Sequence, residues 1–419
     1  MAEVLGKGSL ETPLTAEAME EICRGALSPL ALRGKRVLVL IPDHTRHAPI
    51  DHFFHMLYAI LGREVAALDY LVATGTHRAM ERERLYRHIG ISPAEHGTMY
   101  RNVKLMAHEH DNPAALRRIG TIPGSEIRAL TGGLFGEDIP VSINRAVLEY
   151  DHVVIVSPVV PHEAMGFAGG NKYFFPGVGG LDIIETFHWL AAVMTNPAIN
   201  GVKDTPTRRV IDRAAALLAV PRTCLAFAVD DRDRVSCLFA GAPEEAWSRA
   251  ADYSAKLHIK YIEHPAEQVL GVTPSLYEEL WVGGKAMYKL EPVVADGGEL
   301  IIYGPQIREL SFVHGEAIKR IGYHVRDFFL GQWDRFRGEP KLILAHSTNV
   351  RGVGAFTGGV ERPRIAVTLA TSIPEEVCRG VNLGYRDPRS IDVEAWRNRP
   401  SRGGLLVENA GQDLYRLRN

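Results

Sequence analysis

The sequence predicts an α/β protein made of two α/β domains with largely parallel sheets. Short aliphatic runs alternate with amphipathic helical stretches along most of the 419 residues, which is the pattern of parallel sheets flanked by helices. The chain is 46% hydrophobic, and because single cores seldom grow past roughly 250–300 residues, its length favours two domains. Ligands of such folds bind beyond the carboxyl ends of strands, so we expect the active site in the cleft between the domains.

Apolar runs rich in β-branched residues predict the strands, and apolar residues at a spacing near 3.6 predict the helices. The segment PTRRVIDRAAALLAV shows the helical spacing most clearly. The predicted strands cover 35–41, 65–73, 152–157, 224–229, 268–273, 299–304, 341–346 and 364–370. The predicted helices cover 50–61, 181–193, 205–219, 243–257, 276–290 and 307–321, and the DGG at 296–298 is expected to end a helix.

A polar, proline-containing segment, HIKYIEHPAE at 258–267, interrupts the alternation. We therefore predict an N-terminal α/β domain over 1–262 and a C-terminal α/β domain over 263–400. The last residues, 401–419, are too few for a domain and are expected to pack back on the first one.

Composition excludes several classes of protein. The 48 basic and 50 acidic residues leave a net charge of −2, so no global field attracts nucleic acid or an anionic membrane, and a small molecule is the expected partner. No apolar run reaches the roughly 18 residues of a membrane helix, and the opening segment lacks signal-peptide features, which predicts a cytoplasmic protein. The four cysteines are scattered, so each is expected to be a small core residue.

Three loops that follow predicted strands carry the candidate chemistry: 41–49, 73–78 and 157–180. Each combines small residues with a cation, Arg46, Arg78 or Lys172, as an anion site requires. None matches the standard dinucleotide or nucleoside-triphosphate fingerprint. Ordinary turns with a surface basic residue remain an alternative for each loop taken alone.

The third loop and the helix after it hold His162, Lys172 and His188. Glycines between His162 and Lys172 let the backbone fold tightly and bring the amine close to a bound group. His188 lies one turn after Ile184, toward the buried side of its helix, where a histidine either satisfies a core hydrogen bond or ligates nickel, copper or zinc. Glu185 is either the partner that orients this ring or a solvated charge.

Two histidines are placed for proton transfer. His77, at the end of a predicted strand, is a candidate acid or base, and His162 could do the same work from the opposite side of a substrate. Such a pair suits a reaction that runs in both stereochemical directions. The remaining histidines considered are expected to be surface or turn residues: His44, His47, His108, His110 and His152.

Lys285 follows two glycines within a predicted helix. Each glycine weakens a helix interior by about 1 kcal/mol, which close packing or the approach of a ligand usually explains. Lys285 is therefore either a contact for a substrate carboxylate or a solvated lysine on an irregular helix.

Together these residues resemble the lactate racemase family that uses the nickel-pincer nucleotide. The resemblance runs from about residue 36 to residue 300 and implies a pyridinium mononucleotide with two thio-acid groups that hold nickel. The motifs that carry it are DHTR (43–46), ATGTHR (73–78), PHEAMGFAGGNKYFFPG (161–177), His188 and KAMYKLEPVVADGG (285–298).

The resemblance also implies a role for each candidate residue. Lys172 is similar to the lysine that can bond covalently to the cofactor, and His188 to the protein ligand of nickel. The other implied roles are acid/base catalysis for His77 and His162, substrate binding for Arg46 and Lys285, and cofactor binding for Asp43, Thr45, Gly75 and Thr76.

The implied reaction is racemisation or epimerisation at C2 of a 2-hydroxy acid. Hydride leaves C2 for the cofactor and returns to the other face of a planar 2-oxo acid, while one histidine takes the hydroxyl proton. His47 and Val282 depart from the residues usual in the family, so we expect a substrate other than lactate, with His44 or His47 contacting it.

Two other classes of function remain open at this point. A zinc or iron hydrolase would use His77, His162 and His188 as ligands, although no H-E-x-x-H motif anchors such a site. A non-catalytic protein that binds hydroxy acids would have kept the fold and lost the chemistry.

Overall fold

Strands and helices are well defined in the computed structural model, which describes residues 3–46, 48–77, 79–397 and 403–418. His47 and Arg78 therefore lie outside the described residues. The strands are β1 (Leu5–Gly8), β2 (Arg36–Pro42), β3 (Ala67–Ala73), β4 (Leu105–Ala107), β5 (Leu116–Ile122), β6 (Ile139–Asn144), β7 (His152–Pro158), β8 (Pro161–His162), β9 (Gly166–Phe167), β10 (Arg222–Val229), β11 (Val235–Gly241), β12 (Ile259–Ile262), β13 (Ala266–Val272), β14 (Val294–Gly304), β15 (Gly354–Thr357), β16 (Val360–Pro363), β17 (Ala366–Thr371), β18 (Gly384–Tyr385), β19 (Leu405–Val407) and β20 (Leu414–Leu417). The helices are α1 (Ala16–Leu27), α2 (Ile50–Leu61), α3 (Arg82–Ile89), α4 (Pro93–Gly97), α5 (Gly124–Leu130), α6 (Leu181–Met194), α7 (Asn196–Ile199), α8 (Pro206–Ala215), α9 (Pro243–His258), α10 (Leu280–Gly283), α11 (Lys285–Leu290), α12 (Gly315–Ile321), α13 (Arg326–Leu330), α14 (Trp333–Phe336), α15 (Lys341–Arg351), α16 (Glu375–Gly380) and α17 (Val393–Arg397).

The chain divides into two compact units, but not at a single point. The first unit comprises Met1–Val160, Phe167–Ile184 and Lys203–Leu257, and the second comprises Pro161–Gly166, Glu185–Val202 and His258–Asn419. The last change of unit lies close to the predicted boundary near residue 262. Unlike the predicted continuous domain over 1–262, the first unit lacks two internal segments, which group with the carboxyl-terminal part of the chain.

A seven-stranded sheet forms the framework of the first unit, in the order β1-β11-β10-β7-β2-β3-β4. The five strands from β10 to β4 are parallel, and β11 and β1 extend the sheet in antiparallel fashion. The chain order reverses between β2 and β7, so their carboxyl ends flank the crevice where doubly wound sheets bind ligands. The loops after β2, β3 and β7 are the three loops singled out in the sequence.

The second unit contains a parallel five-stranded sheet in the order β18-β17-β14-β13-β19. Strands from the last stretch of the chain belong to this unit, because β19 joins the sheet beside β13 and β20 pairs with β12. The tail therefore adds strands to the second unit, and the partner of β20, Ile259–Ile262, lies within the range predicted as the first domain. The fold class predicted from the sequence, α/β with mainly parallel sheets, is confirmed.

Three predicted elements differ from the structure. Residues 341–346, predicted as a strand, begin α15, whose residues Leu342 to Val350 are all buried; a helix buried on every face has an apolar run without helical spacing, so its sequence resembles a strand. The predicted helix at 276–290 is broken between α10 and α11, and that at 307–321 is helical only over α12. The DGG at 296–298 lies inside β14 and ends no helix.

All four cysteines are free and buried, which confirms that they are core residues. Among the described residues, no helix combines the length and the apolar character needed to cross a membrane.

Candidate active site

Backbone hydrogen bonds join the loops that follow β3 and β7 in the first unit. The N–H of Gly75 donates to the carbonyl of Gly177 (2.9 Å), and the N–H of Gly177 donates to the carbonyl of Lys172 (2.9 Å). Within the loop after β3, the N–H of His77 donates to the carbonyl of Thr74 (3.0 Å). These contacts fix the backbone that carries His77 relative to the turn that carries Lys172.

Asp43, at the end of β2, binds the ring of His77. The Nδ1 atom of His77 lies 2.5 Å from Oδ2 of Asp43, and the other carboxylate oxygen accepts hydrogen bonds from the hydroxyl (2.6 Å) and the N–H (3.1 Å) of Thr45. Burial would raise the pKa of Asp43, but the charge and hydrogen bond of His77, the hydroxyl of Thr45 and the charge of Arg46 hold this pKa well below its usual range. An ionised carboxylate only accepts hydrogen bonds, so Nδ1 of His77 carries a proton, and Nε2 has a lone pair whenever the ring is neutral.

The remaining candidates of the first unit differ in how far their polar atoms are already engaged. The hydroxyl of Thr45 donates to Asp43, and the N–H of Gly75 donates to Gly177. Within the described part of the chain, the guanidinium of Arg46 and the hydroxyl of Thr76 have no hydrogen-bond partner. Arg46 and Thr76 are therefore the donors available to an anionic ligand, while Thr45 serves mainly to position Asp43.

The turn that carries Lys172 is fixed by buried side chains that capture three consecutive carbonyls. Arg208 donates to the carbonyls of Phe167 and Gly169, and the indole N–H of Trp247 donates to that of Ala168 (2.8 Å). The guanidinium of Arg208 also stacks on Trp247, 3.9 Å from the ring centroid. Both donors come from helices, α8 and α9, so the loop conformation is set by the core of the unit.

A second part of this network anchors the residue next to Lys172. The side-chain amide of Asn171 donates to Asp212 (3.0 Å) and to Glu244 (2.7 Å). Burial raises the pKa of Asp212, although the charge of Arg208 and the hydrogen bond from Asn171 oppose that shift. Burial lowers the pKa of Arg208 to about 10, so this arginine remains a cation at neutral pH.

His108 was expected at the surface or in a turn, but it is 1% exposed and supports the end of the same loop. Its Nε2 lies 2.9 Å from the carbonyl of Gly179, and Nδ1 lies 3.1 Å from the side-chain nitrogen of Asn144. His152 is also buried, beside the hydroxyl of Thr223 (3.0 Å), contrary to the same expectation. Both rings lie on or beside β-strands of the core, which a single sequence does not reveal. His44 is exposed, as expected.

The buried histidines predict a loss of stability in mild acid. Burial lowers the pKa of both His108 and His152 from 6.5 to about 4, so between these pH values the unfolded chain binds protons that the native protein does not. The free energy of unfolding should therefore decrease as the pH is lowered from about 6.5 to 4, by about 1.4 kcal/mol per pH unit for each histidine. Urea unfolding across this range measures the slope. His152→Gln should make it shallower, and an unchanged slope in that variant would contradict the assignment.

The second unit holds the other three candidates: His162, His188 and Lys285. His162, in β8, is 6% exposed, and its Nδ1 accepts a hydrogen bond from the N–H of Ala164 (3.2 Å). A carboxylate oxygen of Glu163 lies 3.4 Å from the same nitrogen.

His188 and Lys285 are both half-buried. His188 lies on α6 and is followed by Trp189. The indole of Trp189 stacks on that of Trp333, with the ring centroids 5.3 Å apart. The amine of Lys285 lies 5.3 Å from the centroid of the Tyr277 ring. The glycines before Lys285 are explained by packing, because a Cβ on Gly283 would lie 2.6 Å from Ile307 and one on Gly284 would lie 2.8 Å from Val350.

Sequence reasoning missed the residues that support the site. Arg208 appeared only as a polar position of an amphipathic helix, and Trp247 and His108 carried no motif. In the described residues, no group of three or more His, Cys, Asp or Glu side chains could hold a metal ion.

Comparisons with known proteins find similarity to lactate racemases. The family model of the lactate racemase N-terminal domain matches residues 7–200. The lactate racemase of Thermoanaerobacterium thermosaccharolyticum is 24% identical over 310 residues, which cover 72% of this chain. The match spans 65% of the length of that relative.

Two solved structures resemble the protein over nearly its whole length. A structural-genomics target from Thermotoga maritima has a TM-score of 0.88 and 34% identity, covering 98% of this chain and 100% of that chain. The lactate racemase apoprotein from T. thermosaccharolyticum has a TM-score of 0.71 and 20% identity, covering 96% of this chain and 93% of that chain. The second likeness shows a shared fold. The chain therefore resembles the lactate racemases, by the N-terminal domain matched over residues 7–200 and by its fold.

Proposed function

We propose that the protein is an isomerase, a racemase or epimerase that inverts C2 of a 2-hydroxy acid with a nickel-pincer nucleotide as cofactor. The observation that carries the proposal is the pair formed by Asp43 and His77, in which the carboxylate lies against Nδ1 and leaves Nε2 of a neutral ring as the proton acceptor. That is the arrangement of a general base oriented by a carboxylate. The match of residues 7–200 to the lactate racemase N-terminal domain supports the reaction class.

The described residues fit such a cofactor. A Cβ built on Gly75, which has φ +58°, would meet no atom within 4 Å, so the backbone there is open to a bound group. Lys172 lies on a turn that the core fixes, as covalent attachment to its amine requires. A metal that arrives with its own organic ligand needs few protein donors, and His188 is proposed as that donor.

The proposed roles follow from these contacts. Lys172, Asp43, Thr45, Gly75 and Thr76 would hold the cofactor, with Thr45 and Gly75 acting mainly through the loops they brace. The bound cofactor supplies a reversible acceptor for the hydride of C2.

Proton transfer and substrate binding are assigned to the side chains of this chain. One histidine takes the hydroxyl proton of one enantiomer, and the other gives a proton to the oxygen when C2 is rebuilt with the opposite configuration, so His77 and His162 exchange these roles in the reverse direction. Arg46 binds the carboxylate as a bidentate donor, and Lys285 holds the hydroxyl or carboxylate, so that both enantiomers present C2 in one place. We propose a substrate larger or more polar than lactate, with His44 or His47 as the contact.

The test is chiral analysis of single-enantiomer 2-hydroxy acids incubated anaerobically with protein that was co-expressed with the cofactor-synthesis enzymes. We expect the opposite C2 configuration to appear, and expect His188→Ala to abolish it together with bound nickel. Tight binding of a 2-hydroxy acid by fully loaded protein, with no inversion of any acid tested, would contradict the proposal and favour a binding protein.

A further inference from the structure

We propose that His77 and His162 rest in opposite neutral tautomers, and that Glu163 accepts the Nδ1 proton of His162 when that ring becomes charged. The kinetic consequence rests on the proposed function, whereas the tautomers depend only on contacts within each unit. Glu163 thereby becomes a positioning residue for His162.

The tautomer of His77 follows from its partner. The carboxylate of Asp43 already accepts two hydrogen bonds from Thr45 on one oxygen, and its other oxygen lies 2.5 Å from Nδ1 of His77. Because this carboxylate only accepts, the neutral ring has its proton on Nδ1. Its Nε2 is therefore bare.

The tautomer of His162 follows from a backbone amide. The N–H of Ala164 donates to Nδ1 across 3.2 Å, and an amide nitrogen always carries its proton, so Nδ1 must present a lone pair. The neutral ring consequently has its proton on Nε2. Because the ring is 6% exposed, water competes little for either nitrogen.

Ala164 donates a hydrogen bond to Nδ1 of His162, whereas the carboxylate of Glu163 can only accept one from that nitrogen. Its carboxylate oxygen lies 3.4 Å from Nδ1, at the outer limit of a hydrogen bond, and the ring cannot accept from Ala164 and donate to Glu163 at once. When His162 gains a second proton, the new N–H on Nδ1 faces the amide proton of Ala164. The carboxylate of Glu163 is then the acceptor within reach.

This arrangement makes the two histidines unequal at rest. His77 can accept a hydroxyl proton at Nε2, whereas His162 offers an N–H there. His162 accepts a proton at Nε2 only as its other neutral tautomer, whose proton lies on Nδ1 beside Glu163. Glu163 thus supports the state of His162 that the opposite enantiomer requires.

The experiment records nitrogen NMR spectra of protein with ¹⁵N-labelled histidine, without cofactor and at a pH where the rings are neutral. Signals are assigned by their loss in His77→Gln and His162→Gln. We expect the bare nitrogen of His77 to be Nε2 and that of His162 to be Nδ1, in Glu163→Gln as in the parent. A neutral His162 with its proton on Nδ1 would overturn the proposal.

Kinetics of loaded protein test the role of Glu163. We expect Glu163→Gln to lower kcat about 10- to 100-fold, the range for loss of a hydrogen bond to a charged group, with KM little changed, and Glu163→Asp to recover part of it. Because the equilibrium constant fixes the ratio of kcat/KM in the two directions, both directions must lose kcat/KM equally. An unchanged kcat in Glu163→Gln would overturn the role of Glu163. Absence of racemisation in parent protein would instead contradict the proposed function, with the tautomers still decided by NMR.

Discussion

Asp43→Asn should lower turnover by about 10³- to 10⁴-fold while leaving the fold intact. The same exchange in the serine-protease triad has an effect of this order, because an amide nitrogen donates to the imidazole and stabilises the wrong tautomer. In this protein an amide beside Nδ1 of His77 would push the proton to Nε2, the atom that is proposed to accept the hydroxyl proton. The variant would also lose the charge that stabilises the imidazolium.

The measurement is the initial rate of inversion for both enantiomers of the active 2-hydroxy acid, at matched cofactor content. Asp69→Asn is the control, since Asp69 is a buried aspartate of the same sheet that accepts from the N–H of Lys104 (2.7 Å) and the hydroxyl of Tyr150 (2.6 Å). It should lower stability and leave turnover per folded molecule unchanged. Equal losses of turnover in the two variants would show that Asp43 acts only through the fold.

Arg208→Met should destabilise the protein by about 3–5 kcal/mol, the usual cost of removing one partner from a buried charged network. The variant loses the donors to the carbonyls of Phe167 and Gly169 and removes the cation beside Asp212. Methionine fills a similar volume, so packing changes little. The turn that carries Lys172 should loosen, which predicts faster hydrogen exchange over 166–172 and less cofactor retained by the protein.

Arg209→Met provides the matched control on the same helix. Arg209 is exposed and pairs with exposed Asp204 at 2.7 Å, and such surface pairs contribute little to stability. Urea unfolding should therefore separate the two variants clearly. If Arg208→Met unfolds at the same urea concentration as Arg209→Met and retains cofactor equally well, the buried network does not position the loop.

Sequence reasoning succeeded where local pattern and tertiary structure agree. The strands β2, β3 and β7 were predicted because strands of a buried parallel sheet are continuous aliphatic runs between turn residues. The same rule failed at 341–346, since the apolar run there opens a helix, Lys341–Arg351, that is buried on every face. Short apolar runs do not distinguish these two states.

The candidate site divides in a similar way. His77 and Lys172 could be found because they follow strands of the first sheet within glycine-rich loops. Arg208 and His108 could not, because their importance depends on partners 39 and 71 residues away in the chain that only the fold brings together. The sequence of an amphipathic helix does not distinguish an arginine that is buried from one that is exposed.

The two internal segments that belong to the second unit make the carboxyl-terminal part of the chain unsuitable as a separate module. A fragment that begins at His258 lacks Pro161, whose carbonyl accepts from buried Lys289 (2.5 Å), and lacks Asn196 and Asn200, which donate to the carbonyl of Tyr288 (2.8 and 3.1 Å). Gene fission or domain shuffling at that point would leave these groups unsatisfied. The two units are therefore expected to have been inherited together, as one indivisible coding sequence.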